Sequence, residues 1–308
     1  MDFVSKRNWF FLLSLLVITP GIVFLVIGGG LKPGIDFTGG SSMALEFTAD
    51  VDQSDLRTDL GAQGYPDAIV QKMADRTFFV RTKELEEEDK DALVASLESA
   101  LSPDGVQVLS FDLVSPVVAA ETVVNAFWAV LAAAVGIFFY VWWAFRNVPS
   151  PFRYGLAAII ALLHDAMVVV GIFAILGVLF DIEVNTMFLI ALLTVIGYSV
   201  NDTIVVFDRL RENVLLYPNR TLAANANLSV SETLGRSLNT SLTLLFTLTA
   251  LLLFGGATIR NFLWVLLIGV IAGTYSSLAI ATPFLVVWES GTFRRLFSRI
   301  RPASSSSA

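Results

Sequence analysis

Six runs of mostly apolar residues, each near the ~20 residues a helix needs to cross a bilayer, leave this chain few folds to choose from. They fall at roughly 9–29, 121–144, 155–180, 186–206, 238–254 and 262–288, the fifth being the shortest. The chain has 308 residues, 55% of them hydrophobic and 15% charged. A soluble core of that size does not need runs this long, so the pattern argues for a membrane protein. The first run is too long for a signal-peptide core and lacks a small-residue cleavage site after it, which predicts a retained anchor. Cysteine is absent and there is one histidine. Disulfides, thiol catalysis and Cys- or His-rich metal sites are therefore excluded. A net charge of −7 gives no support to nucleic-acid binding.

Lys and Arg set the orientation. With the N-terminus cytoplasmic, the inside segments hold Lys6, Arg7, Arg146, Arg153, Arg209, Arg211, Arg220, Arg236, Arg294, Arg295, Arg299 and Arg301, while the short outside loops "DIEVN" and "GGATIRN" hold only Arg260. Both termini are thus expected inside. The insert at 31–118 carries seventeen of the twenty-seven acidic residues against seven basic ones, so most of the net charge is extracytoplasmic. Its pattern alternates strand and helix. "SSMALEFTA" reads as a strand, "DQSDLRTDLGAQG" as a helix, "DAIVQKMA" and "RTFFVRT" as a strand pair across Asp75, "EEEDKDALVASLESAL" as a helix and "GVQVLSFDLV" as a last strand. The order β-α-β-β-α-β suggests a ferredoxin-like α+β module with one sheet face free for a partner. The acidic run "ELEEEDKDA" suits a solvated first helical turn, a partner-binding patch being the alternative. The expected organisation is residues 1–30 as cytoplasmic N-terminus and first span, 31–118 as the extracytoplasmic domain, 119–290 as a five-helix membrane region with a cytoplasmic loop at 207–237, and 291–308 as a disordered cytoplasmic tail.

Ionisable residues inside the spans need an explanation. Asp202 sits roughly 10 Å into the fourth span at ~1.5 Å per residue, where a lone aspartate costs about 2.5–3.5 kcal/mol. Arg236, Thr240, Thr243 and Thr247 at the start of the fifth span recur at steps of four, three and four, which places them on one helix face. Thr194, Tyr198 and Asp202 recur at steps of four, with Asn201 adjacent. Two such faces meeting would pair Asp202 with Arg236 and satisfy the hydroxyls. Two readings stay open: a static interhelical salt bridge, or an aspartate that takes up and releases a proton. Burial favours the neutral carboxyl and a nearby arginine the carboxylate, so small movements swing the balance. A proton crossing ~100 mV releases about 2.3 kcal/mol, enough to shift a two-state equilibrium roughly fiftyfold. An Asp-Thr-Asn-Tyr environment suits H+ and, alternatively, Na+. His164 and Asp165 lie mid-way along the third span. Their directions differ by about 100°, so they need not share a site. Asp165 is either a second relay station or a hydrogen-bonding partner for a neighbouring helix.

Other features are structural. Gly269 and Gly273 form a G-x-x-x-G helix-packing signal in the last span. Pro20 and Pro283 are expected to kink their helices. The segment 207–235 reads as amphipathic helices lying on the cytoplasmic side, with Ser229 and Glu232 at capping-box spacing to start the turn into the fifth span.

Several stretches resemble the SecF family of protein-export subunits: "GIDFTGGSSMALEF" after the first span, "HDAMVVVGIF" in the third, "IGYSVNDTIVVFDRLREN" in the fourth, and "SETLGRSLNTSLTLLFTLTALLLFGGATIRNFLWVLLIGVIAGTYSS". The resemblance runs from about residue 5 to 290. It implies six spans forming half of a transporter related to the resistance-nodulation-division (RND) group, and an extracytoplasmic ferredoxin-like domain. It also implies partnership with SecD, the SecYEG channel and a translocating preprotein, in the lipid of a plasma (inner) membrane or an internal membrane using the same machinery. By resemblance, proton flow drives late export, Asp202 and Arg236 belong to the proton pathway with Asn201, Thr240 and Tyr198 beside them, no cofactor is needed, and Gly34, Asp36, Phe37, Gly39 and Gly40 form a family motif. The family usually has Val-Gly-Pro before the second span; here Ser115 replaces the glycine.

Three other classes compete. A stand-alone efflux pump needs twelve spans and paired large domains, so this chain would be half of one. An intramembrane aspartyl protease would use Asp165 and Asp202, but their contexts are "HD" and "SVND", where that family has "YD" and "GLGD". A passive scaffold clamping the channel predicts that Asp202→Asn leaves export unaffected.

Overall fold

The computed structural model describes residues 2–83, 85–256 and 259–289; the expected tail at 291–308 lies outside them. The chain divides into two compact units. One takes the residues up to Gly30, Ala129–Val178 and those from Met187 onward, and the other takes Leu31–Trp128 together with Leu179–Thr186.

After helix α1 (Arg7–Val26), the second unit runs β1 (Lys32–Pro33), α2 (Ile35–Thr38), β2 (Gly40–Phe47), α3 (Gln53–Ala62), β3 (Ile69–Ala74), β4 (Thr77–Thr82), α4 (Glu87–Leu101) and β5 (Val106–Val114). Strands β2 to β5 form one antiparallel sheet in the order β3-β4-β2-β5, the ferredoxin-like arrangement. Alternation along central β2 turns Met43, Leu45 and Phe47 inward, where they meet Phe78 and Val80 of β4 and Leu56, Leu60, Leu93 and Leu97 of the two helices. Each such side chain contributes about 1.5–3 kcal/mol on burial. Along β3, Val70 is buried while Ile69 and Met73, pointing the other way, are exposed.

The helices that follow are α5 (Pro116–Ala144), α6 (Pro151–Phe180), α7 (Thr186–Leu216), α8 (Leu222–Phe254), α9 (Arg260–Ser276), a π-helical stretch (Ser277–Ala281) and α10 (Thr282–Glu289), with a short strand β6 (Glu183–Val184) before α7. Among the described residues six helices are long and apolar enough to span a membrane, α9 to α10 counting as one. Half or more of the most apolar window of α6, α7 and α9–α10 is buried, against none of α5, so those three form the centre of the bundle. Tyr154 of α6 stacks on Phe145 at 5.4 Å and meets Phe207 of α7 edge-on at 5.3 Å.

Several local expectations are corrected. The segment 207–235 does not form separate surface helices: α7 and α8 simply continue beyond the apolar runs and join through a short turn. Thr221, not Ser229, caps α8, accepting from the Ala224 N–H at 3.3 Å. Ser229 and Glu232 lie inside that helix, where Asn213 Nδ2 donates to both at 2.9 and 2.8 Å and Arg209 Nε donates to Glu232 at 2.7 Å. These bonds tie the extensions of α7 and α8 to each other. Ser115 precedes α5 as its N-cap, its hydroxyl 3.4 Å from the Val118 N–H. Pro283 falls just after the π-helical stretch, where the altered hydrogen-bond spacing accommodates its missing N–H.

Candidate functional site

Asp202 projects from α7 toward α8 and is buried, with 7% of its surface exposed. Ser237 Oγ donates to its Oδ1 at 2.6 Å. Its Oδ2 has no hydrogen-bond partner among the described residues. A ladder of hydroxyls surrounds it. One turn back on α7, Tyr198 OH lies 2.9 Å from Ser241 Oγ, which lies 2.6 Å from Thr274 Oγ1 of α9. Thr203 Oγ1, next along α7, lies 2.9 Å from Ser277 Oγ. Three of these hydroxyls also donate back along their own helices: Ser241 to the Ser237 carbonyl at 2.9 Å, Thr274 to the Val270 carbonyl at 2.8 Å and Ser277 to the Gly273 carbonyl at 2.8 Å.

The Asp202–Arg236 pair expected from spacing does not form in this structure. Arg236, Thr240, Thr243 and Thr247 share a face, but that face is exposed. The three threonine hydroxyls bond the carbonyls four residues back. The stripe of α8 that packs on α7 is the neighbouring one, Thr233, Ser237 and Ser241, all buried. Both stripes have helical spacing, and a turn of ~100° per residue separates Arg236 from Ser237; spacing alone does not choose between them. Thr194 and Asn201 likewise lie on the exposed face of α7.

His164 and Asp165, despite their divergent directions, do share a site. Asp165 is fully buried; its Oδ1 lies 2.9 Å from His164 Nδ1, and its Oδ2 accepts from Ser276 Oγ at 2.7 Å and from Ser199 Oγ. His164 Nε2 lies 2.9 Å from Ser14 Oγ of α1, which donates to Tyr275 OH at 3.2 Å, and Tyr275 donates to the Phe10 carbonyl at 2.7 Å. Four helices thus contribute to one polar cluster. The adjacent serines 276 and 277 reach the two carboxylate sites separately: Ser276 bonds Asp165, and Ser277 bonds Thr203 next to Asp202. Sequence reasoning missed Ser14, Ser199, Ser237, Ser241, Thr274, Tyr275, Ser276 and Ser277. The four-residue recurrence of Thr233, Ser237 and Ser241 was the available signal.

Gly269 and Gly273 make this proximity of α9 and α7 sterically feasible. A Cβ on Gly269 would lie 2.1 Å from Val195 Cγ2, and one on Gly273 3.0 Å from Ser199 Cβ. Among the described residues no group of three or more His, Cys, Asp or Glu side chains is placed to hold a metal ion.

Residues 94–291 match the family model described as "Protein export membrane protein SecD/SecF, C-terminal", and 24–51 match that for the "SecD/SecF GG Motif". The chain is 44% identical to protein translocase subunit SecF of Thermobaculum terrenum over 99% of both chains. It belongs to the SecF family. A second SecF, from Anaerolinea thermophila, is 43% identical over 99% of this chain and 100% of its own. Among solved structures, the crystal structure of SecDF, a translocon-associated membrane protein from Thermus thermophilus, superposes with a TM-score of 0.83 at 33% identity. This SecF-family chain has 94% of its length covered there but spans only 39% of that longer chain. A SecDF structure in a super-membrane-facing form gives 0.68 at 31% identity, covering 97% of this chain and 40% of that one.

Proposed function

We propose that this translocase subunit works with a SecD half to drive late stages of preprotein export through the SecYEG channel, using the proton motive force across a plasma (inner) or equivalent internal membrane. Both termini are cytoplasmic and the ferredoxin-like unit is extracytoplasmic. Asp202 takes up and releases the coupling proton.

The observation that carries the reading is the state of Asp202: a carboxyl buried between apolar spans, with the Ser237 hydroxyl bonded to one oxygen and the other oxygen making no well-formed hydrogen bond among the described residues, the Ser277 hydroxyl standing nearby. A carboxylate kept for packing is expected to have its lone pairs satisfied, as those of Asp165 are. A group that alternates between charged and neutral forms needs spare acceptor capacity.

The exposed polar faces of α7 and α8 support the partnership. Thr194, Asn201, Arg236, Asn239, Thr240 and Thr243 lie exposed on helices read as spans. An asparagine facing hydrocarbon is costly, so a second protein surface is expected to cover this face, with Arg236 at its cytoplasmic end. A SecD half is the natural cover, because the Thermus relative carries a match to this chain within a SecDF chain more than twice as long. Arg236 and Asn201 then belong to the proton pathway from the partner's side, with Thr240 beside them.

Inverted membrane vesicles carrying the chain with its SecD half test the reading. Wild type and Asp202→Asn are compared for completion of precursor import, with and without an imposed proton gradient, after equal assembly is verified. Acceleration of wild type alone supports Asp202 as the coupling residue. An equal response in both makes Asp202 structural and the protein a passive scaffold, while a response to a sodium gradient alone changes the ion.

A further inference from the structure

The segment following α1 holds the start of α7 from outside that helix. Asp36, on the one-turn helix α2, accepts the Thr186 N–H at 2.7 Å, and Thr186 is the first residue of α7. That N–H is one of the donors a helix start leaves unbonded, and a carboxylate there also meets the positive end of the helix dipole. The same stretch is fixed to the loop before α7 by backbone: β1 pairs in parallel with β6, and the Gly34 N–H donates to the Val184 carbonyl at 2.8 Å. Gly39 and Gly40 end α2 at φ +77° and +115°, where a side chain is strained, and a Cβ on Gly40 would sit 2.7 Å from the Thr82 carbonyl oxygen of β4.

Arg81, on β4, reaches the same point from the sheet. Its Nη1 donates to the Pro33 carbonyl and to Glu183 Oε1, and its Nη2 to Thr38 Oγ1, each at 2.9 Å. From β3, Gln71 Nε2 donates to the Asp181 carbonyl at 2.6 Å. A two-residue strand and a four-residue helix have no stability of their own. So many bonds converging on them indicate a joint.

Resting on the motor reading above, we propose that Asp36 and Arg81 are positioning residues of a joint that makes the N-terminus of α7 one body with the ferredoxin-like sheet. Asp202 lies sixteen residues along the same helix, about 24 Å from its start. A shift of α7 set off at Asp202 is passed through this joint to the sheet, and the glycine-rich motif serves transmission.

The test uses the full chain with its SecD half. Asp36→Ala is expected to raise hydrogen exchange at the Thr186 amide roughly fivefold. It is also expected to lower the gradient-stimulated part of export by roughly twofold or more, leaving the gradient-independent part unchanged. Asp36→Asn, whose amide oxygen still accepts the N–H, should restore most of the stimulated part. Arg81→Gln, which keeps the cap and frees its attachment to the sheet, should lower the stimulated part of export as Asp36→Ala does while leaving the Thr186 amide protected; it stands in for the export readout if Asp36→Ala fails to assemble. Full gradient stimulation with a released Thr186 amide would overturn the joint as a transmitter, as would unchanged exchange in Asp36→Ala. A wild type indifferent to the gradient overturns the motor reading itself and is thereby distinguishable.

Discussion

At the scale of single residues, the two buried carboxylates of the spans differ in how completely they are bonded. Asp165 has three side-chain partners, from its own helix, α7 and α9, so that both of its oxygens are bonded. Asp165→Ala strands those donors and is expected to cost about 1–3 kcal/mol, read as a lower melting temperature in detergent. Ser237→Ala removes the donor to Asp202 Oδ1 and should cost about 1 kcal/mol in the same assay. Outside the spans, Glu183 is pushed above its ordinary 4.5 by burial, which outweighs the pull of Arg81. The folded chain therefore holds that proton more readily than the unfolded one. The stability so gained is full below pH 4.5 and is lost as pH rises through the raised value. Glu183→Gln should flatten that decline, which melting curves recorded from pH 4.5 to neutrality will reveal.

At the scale of elements, the contact between α7 and α9 positions both carboxylates, and it depends on the absence of a side chain. Gly269→Leu drives a branched side chain into Val195, and overpacking of this kind costs about 1–3 kcal/mol. Val195→Ala in the same chain opens space at the point of collision and is expected to recover part of the loss. A double-mutant cycle on thermal stability measures the coupling; additivity would mean that α9 moves away as a whole. The π-helical stretch beside this contact has a related role. It begins where Ser276 and Ser277, about 100° apart, bond toward different carboxylate sites, and interruptions of this sort recur at functional positions.

At the scale of the whole molecule, the chain leaves polar side chains on the outside of two membrane helices, and a bilayer does not solvate them. With no native cysteine, single-cysteine labelling is clean. Thr240→Cys should react with a lipid-soluble maleimide when the chain is made alone and be protected when the SecD half is co-produced. Equal labelling in both preparations would assign this face to lipid and remove the support it lends to partnership.

The six helices and the β-α-β-β-α-β order were legible in the sequence because length and periodicity are local properties. A helix must be apolar over a bilayer's width, and a strand must alternate, whatever it packs against. Asp202 stood out for the same reason, since the cost of an aspartate in an apolar run does not depend on its neighbours. What only the tertiary structure decided was partner choice. Arg236 and Ser237 are adjacent and both head plausible stripes, yet helix rotation puts Ser237 against Asp202 and Arg236 outside. The bond between His164 and Asp165, the hydroxyls of Ser276 and Ser277, and the capture of Thr186 by Asp36 from 150 residues away have the same origin. Periodicity specifies which residues share a face; which face meets which neighbour depends on the packing of the whole bundle.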